Sequence, residues 1–269
     1  MMKKIVMLIF ILSFAFAACG DDNAEEYTLP EIQEETEELQ EPLSAFATYL
    51  KASNALEAAD SLRMVSVSNS SIDLDGFFIE MTMRSYVDQV IHSPTQIDMR
   101  MDSVTSIDGE EIPMVSYFRG NILYILGDAP GEGYKFSISL EDAIQVAGAE
   151  ILIFDESSVI NQEMTSTASG TTLAFTLSQE AMSQTVEAMS EALLVMFGGS
   201  LDDINMEISD IDARITLNTN YDIASIDLNM SLDIDELGVS MQSKISTEIL
   251  QIGGVEINFP DFLEDFIDI

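Results

Sequence analysis

The 269-residue chain carries 48 Asp and Glu against 10 Lys and Arg, a formal charge of -38, with 47% hydrophobic residues, 16 Met and no Trp. That balance excludes nucleic acid, whose binding needs cations that displace condensed counterions, and it excludes electrostatic adhesion to anionic lipid, which needs clusters of Lys and Arg. The apolar content suffices for a packed core, the length fits one large β-rich domain or two small ones, and a single cysteine allows no intramolecular disulfide.

Residues 1–18 set Lys3 and Lys4 before an apolar run from Ile5 to Ala18 that ends in the small pair Ala17-Ala18. This is the layout of a secretory signal peptide, and the run is shorter than the roughly 20 residues that a membrane-spanning helix needs. Cys19 follows directly, and Phe16-Ala17-Ala18-Cys19-Gly20 resembles a bacterial lipobox, with Phe16 in place of the usual aliphatic residue. The resemblance implies transfer of diacylglycerol to the Cys19 thiol and cleavage before it, so that Cys19 becomes the lipid-attachment site and first mature residue. One acyl chain holds a protein marginally and two or more hold it firmly, at about 0.8 kcal/mol per buried methylene. The alternative is an inert cysteine beside an uncleaved apolar helix. The expected address is the extracytoplasmic face of the cell membrane, lipid-anchored.

Residues 19–42 are acidic and nearly free of large apolar side chains, with Pro30 as punctuation. Such a segment buries too little surface to fold alone and reads as a tether, with a site for divalent cations or a cationic partner as the alternative. The folded domain is expected over 43–269. Pro42 opens a helix in which Leu43, Phe46, Leu50, Leu56 and Ala59 recur near helical spacing.

The period then changes. Phe77, Ile79, Met81, Met83, Val87 and Ile91 alternate with polar residues, which predicts a long strand with one buried face. Ile97, Met99, Met101 and Ile107 predict its antiparallel return. A hairpin is expected to turn at Arg119-Gly120-Asn121, a short strand at Tyr134 to Phe136, and a brief helix from Leu140 to Ala147 capped by Ser139. Strands follow at 159–167 and 171–177. Met182, Val186, Met189, Leu193 and Met196 then share one face of a second main helix, Gln179 to Phe197. Three more strands are expected at 204–217, 226–234 and 239–250. In the first of them the apolar phase slips between Ile208 and Ile211, which predicts a bulge or bend. The fold class is therefore α+β, a large curved antiparallel sheet with two or three helices on its concave face.

The order of these elements, with "YFRGNILYI", "GYKFSISLEDAI", "TLAFTLSQEAM" and "VEINFPDFLEDF", resembles a group of Gram-positive bacterial lipoproteins that are similar in turn to the LolA, LppX and LprG class. The resemblance runs from about Leu43 to Asp265. It implies a half-barrel whose hollow takes an acyl chain or another apolar molecule, and it brings no catalytic motif.

Conventional chemistry finds little support. His92 is the only histidine and reads as an ordinary strand end; with one His and one Cys, neither a nucleophile-base pair nor a zinc site is expected. "DIDELG" (233–238) lacks the later ligands of a calcium loop and reads as a strand end and turn, and Gly131-Glu132-Gly133 is too short for a phosphate loop. No cofactor, metal or enzyme activity is expected. Met81, Met83, Met99, Met101, Met182, Met189, Met230 and Met241 fall at inward positions. Their flexible thioethers suit either the packing of an irregular core or contact with varied apolar guests. Two functions stay open: a membrane-anchored protein binding a lipid or other hydrophobic ligand, and an envelope interaction module with a closed core whose acidic surface meets partners.

Overall fold

The computed structural model describes residues 43–74, 76–93, 95–127, 132–140, 143, 154–178, 206–209, 211–234 and 238–268. Helix α1 (Ala45–Glu57) starts where Ser44 leaves the extended conformation and its Oγ accepts a hydrogen bond from the Ala47 N–H at 3.1 Å. This satisfies one of the amide groups that every helix start leaves without an intrahelical partner. The buried face of α1 is Ala45, Thr48, Tyr49, Ala52, Ser53 and Leu56. It is rotated from the expected stripe, and Leu43 and Leu50 are 56% and 47% exposed. The small Ala45 and Ala52 let the helix approach closely enough for Tyr49 to stack on Phe154, with ring centroids 4.4 Å apart.

The strands are β1 (Ser61–Leu74), β2 (Phe77–Ser93), β3 (Gln96–Ile107), β4 (Glu110–Arg119), β5 (Ile122–Leu126), β6 (Gly133–Ser137), β7 (Val159–Thr167), β8 (Gly170–Leu177), β9 (Met206–Ile208), β10 (Ile211–Leu217), β11 (Ile223–Ile234), β12 (Val239–Ile252) and β13 (Ile267–Asp268). They form one sheet in the order β13-β6-β5-β4-β3-β2-β1-β12-β11-β10-β8-β7, with β9 also on β11. All pairings are antiparallel except β13 on β6. Laid flat at about 4.8 Å per strand, such an order would exceed 50 Å in width. Yet a single apolar cluster joins Leu123 on β5, Leu173 and Phe175 on β8, and Tyr49 and Leu56 on α1. The sheet therefore bends around the helix, as sheets of this size do. It is an open half-barrel with α1 on its concave face, and β7 and β13 end the order of described strands.

The β4–β5 hairpin turns through Gly120 and Asn121, both at positive φ (57° and 61°), the backbone that a two-residue turn with right-handed strand twist requires. The expected phase slip is real. β9 and β10 lie in line along β11, broken after Ile208, and at the break the Ser209 Oγ accepts from the Ser231 N–H at 3.0 Å. Strand β1, central in the sheet, was not foreseen. Among the described residues α1 is the only α-helix described along its whole length, and a short 3-10 helix spans Asp261–Asp265. The second main helix, Gln179 to Phe197, lies outside them, as does most of the segment Leu140 to Ala147.

After β12 the chain reverses at Gly253-Gly254, both at positive φ, and the Val255 N–H donates to the Ser61 Oγ at 3.1 Å. Residues 255–268 then cross the outer face of β4 and β5. Leu263 and Phe266 bury Tyr117 and Tyr124 there, and β13 adds to the edge at β6.

Candidate functional site: the concave face

Alternation along β2 turns Ile79, Met81, Met83, Ser85, Val87 and Gln89 inward. Antiparallel register then brings the methionines of neighbouring strands together: Met101 opposes Val87, which opposes Met64 on β1, and Met99 opposes Phe118 on β4. Met81, Met83, Met99, Met101 and Met230 are all buried, and Met81, Met99, Met101, Met230 and Met241 belong to the central cluster. Met64, at the middle of this surface, was missed with its strand. Cys19, Met182 and Met189 lie outside the described residues. The arrangement offers soft, polarisable contacts to an apolar guest and no ionised group.

Buried polar side chains interrupt it, among them Ser68, Ser70, Gln89, Thr105, Ser116 and Ser243. Ser103, Ser85, Ser66 and Thr247 are successive register partners across β3, β2, β1 and β12, so four hydroxyl side chains cross the inner face in one row. The row Met101-Val87-Met64-Ile249 runs along one side. The Thr247 Oγ1 donates to the Ser66 Oγ at 3.1 Å, whereas the Ser85 Oγ is buried without a hydrogen-bond partner.

The outer face is polar. Arg63 binds Asp88 through two bonds of 2.6 and 2.9 Å, and that hydrogen bonding, followed by the carboxylate's charge, pushes the Arg63 pKa up. Asp98 is held by Arg119 at 2.9 Å and lies 3.3 Å from His92 Nε2, so His92 sits at the end of β2 in a structural cluster. The Arg119 guanidinium also lies 3.5 Å above the Phe259 ring and pins the C-terminal segment. An open recess of about 550 Å³ is lined by the outward Asn69, Thr82, Asn229, Gln242 and Lys244 and also by Met81 and Met230. Among the described residues no group of three or more His, Cys, Asp or Glu is arranged to hold a metal ion, and no helix is long and apolar enough to cross a membrane. Asp233 is exposed one residue before β11 ends at Ile234, and residues 235–237 and Gly131 lie outside the described residues.

The strand order and the enclosed helix define the class as an open antiparallel half-barrel, the architecture that the LolA, LppX and LprG resemblance implies. No family model matches the chain, and no curated protein sequence matches it. Solved structures do. The chain is similar to LprF from Mycobacterium bovis, with 12% identity, 81% of this chain and 96% of that one covered, and a TM-score of 0.41. It is similar to a DUF1329 family protein from Desulfovibrio piger, with 9% identity, 81% and 94% coverage, and a TM-score of 0.27. It is also similar to a putative outer membrane lipoprotein-sorting protein domain from Vibrio parahaemolyticus, with 6% identity, 80% and 96% coverage, and a TM-score of 0.23. At these scores no residue role or ligand is carried across.

Proposed function

We propose that this chain is an extracytoplasmic lipoprotein, held at the cell membrane by acyl chains on Cys19, whose half-barrel receives a lipid or another hydrophobic ligand on its concave face. The observation that carries the reading is the methionine-rich inner surface contributed by β1, β2, β3 and β11. Hydrophobic ligand sites are concave, largely apolar and lined by side chains that adapt their shape, and the methionines supply that adaptability without a charge to desolvate.

Organic extraction of the purified full-length protein, followed by mass spectrometry, tests the binding. The expected result is an apolar molecule near one per chain beyond the anchor lipid, and its absence from a correctly folded sample would remove the reading. The anchor has its own test: palmitate label should enter the wild type and not Cys19→Ala, and the variant should leave the membrane fraction.

The polar recess around Asn69, Asn229 and Lys244 favours a second reading, an interaction module working through its outer face. Partners held there would dissociate at high salt, because exposed charge is screened over about 8 Å at physiological ionic strength.

A further inference from the structure

We propose that the outer face carries a groove for a neutral glycan chain laid across the strands. The inference rests on the outer face being an interaction surface and is independent of what the concave face holds. Thr82, Asn69, Lys244, Asn229, Asp212 and Thr176 are successive register partners on β2, β1, β12, β11, β10 and β8. At about 4.8 Å per strand, a spacing close to the length of one hexose unit, the row crosses the sheet for about 24 Å. Two open recesses of about 550 and 500 Å³ follow it and share Asp212, Asn229 and Lys244, so the row marks one groove.

The side chains of the groove keep their hydrogen-bonding capacity. Among the described residues Lys244, Asn229 and Gln242 make no side-chain hydrogen bond or ion pair, whereas Arg63, Arg100 and Arg119 elsewhere on this face are each held by an aspartate. Thr82 Oγ1 donates to Asn69 Oδ1 at 3.0 Å, which leaves the Asn69 amide N–H groups as donors. Thr176 Oγ1 donates to Asp212 Oδ1 at 3.3 Å, which leaves the other carboxylate oxygen to accept. The charges are of both signs: Lys244 and Arg214 stand among Glu80, Asp212, Asp227 and Glu163. An anionic chain meets those carboxylates on a molecule of charge -38, and a cationic chain meets the unpaired Lys244 inside the row. An apolar chain finds no apolar side chain in the row. A neutral chain of hydroxyls donates and accepts at every unit, and amides, carboxylate and ammonium together answer both.

The test is titration of the full-length protein in detergent, read by saturation-transfer NMR, with the neutral hexamers cellohexaose, maltohexaose and chitohexaose, with hexagalacturonate and with hexalysine, at low and at high salt. At least one neutral hexamer should bind the wild type, more tightly than hexagalacturonate and with an affinity that salt leaves unchanged. Asn229→Ala should weaken that hexamer about fivefold, the loss of one net hydrogen bond, and should melt at the wild-type temperature, since the side chain it truncates is exposed. Unchanged binding by Asn229→Ala, equal binding of hexagalacturonate, or hexamer binding lost at high salt would each overturn the glycan groove. Hexalysine binding that salt removes, with no neutral hexamer bound, would overturn it and leave the outer face a charged docking surface. Binding of no probe at all would overturn the outer-face role with it.

Discussion

Tyr49 joins the helix to the sheet. Its ring stacks on Phe154 and meets Phe175 edge-on at 5.9 Å, and burial, only partly offset by hydrogen bonds with Ser53 and the Phe154 backbone, pushes its pKa up to about 12. The neutral phenol is thus favoured in the folded state relative to an unfolded chain titrating near 10. Between these values the folded protein holds a proton that the unfolded chain has lost, so stability falls as pH rises. Denaturant titrations should show a Tyr49 contribution that is constant below pH 10 and lost between pH 10 and 12. Tyr49→Phe should lack that decline while costing about 1 kcal/mol at neutral pH through its lost hydrogen bonds. A variant as alkali-sensitive as the wild type would refute the assignment. The methionines allow a comparison of the same kind. Met99 is buried in the cluster and Met164 is 40% exposed on β7. Met99→Ala should cost about 2–5 kcal/mol by denaturant unfolding, and Met164→Ala under about 0.5 kcal/mol.

At the scale of elements, the C-terminal segment closes over the outer face through a tight contact. A methyl group on Gly133 would collide with the Phe266 ring and the Ile125 carbonyl oxygen. Gly133→Ala should therefore loosen residues 255–268 while leaving β1 to β3 intact, seen as faster amide exchange in that segment and greater quenching of Tyr117 and Tyr124. Unchanged exchange would show that the segment is held without this contact. Which elements could be read from sequence depended on which face carried the grease. In β11, Ile226, Leu228, Met230 and Leu232 alternate with Asp227, Asn229 and Ser231, and the strand was legible. In β1 the inward Leu62, Met64 and Ile72 are interrupted by the inward Ser66, Ser68 and Ser70 while Val65 and Val67 face outward, so hydropathy gives no clear phase and the strand was missed. The stripe of α1 was misjudged for a related reason: its inward face is alanine and tyrosine, less hydrophobic than the leucines left outside. Local alternation placed Met81, Met83, Met99 and Met101 inward. It did not reveal the hydroxyl row, because Ser66 and Thr247 meet only through the long-range pairing of β1 with β12.

For the whole molecule, opposed surfaces of one sheet divide the work. The charge of -38 disfavours contact with anionic lipid, so under the proposed function membrane attachment falls to a lipid on Cys19 and apolar recognition to the inside of the half-barrel. A molecule anchored as proposed would stand at a bilayer without adhering to it through its surface and would keep its methionine face apart from its acidic face. The most direct test is photocrosslinking with a diazirine-bearing fatty acid fed to cells producing the full-length chain, with adducts located residue by residue. The account predicts adducts at the inward residues of β2, β3 and β11, with Met83, Met101 and Met230 among them, in addition to label on the Cys19 lipid. Label confined to Cys19 and to outward residues would contradict it.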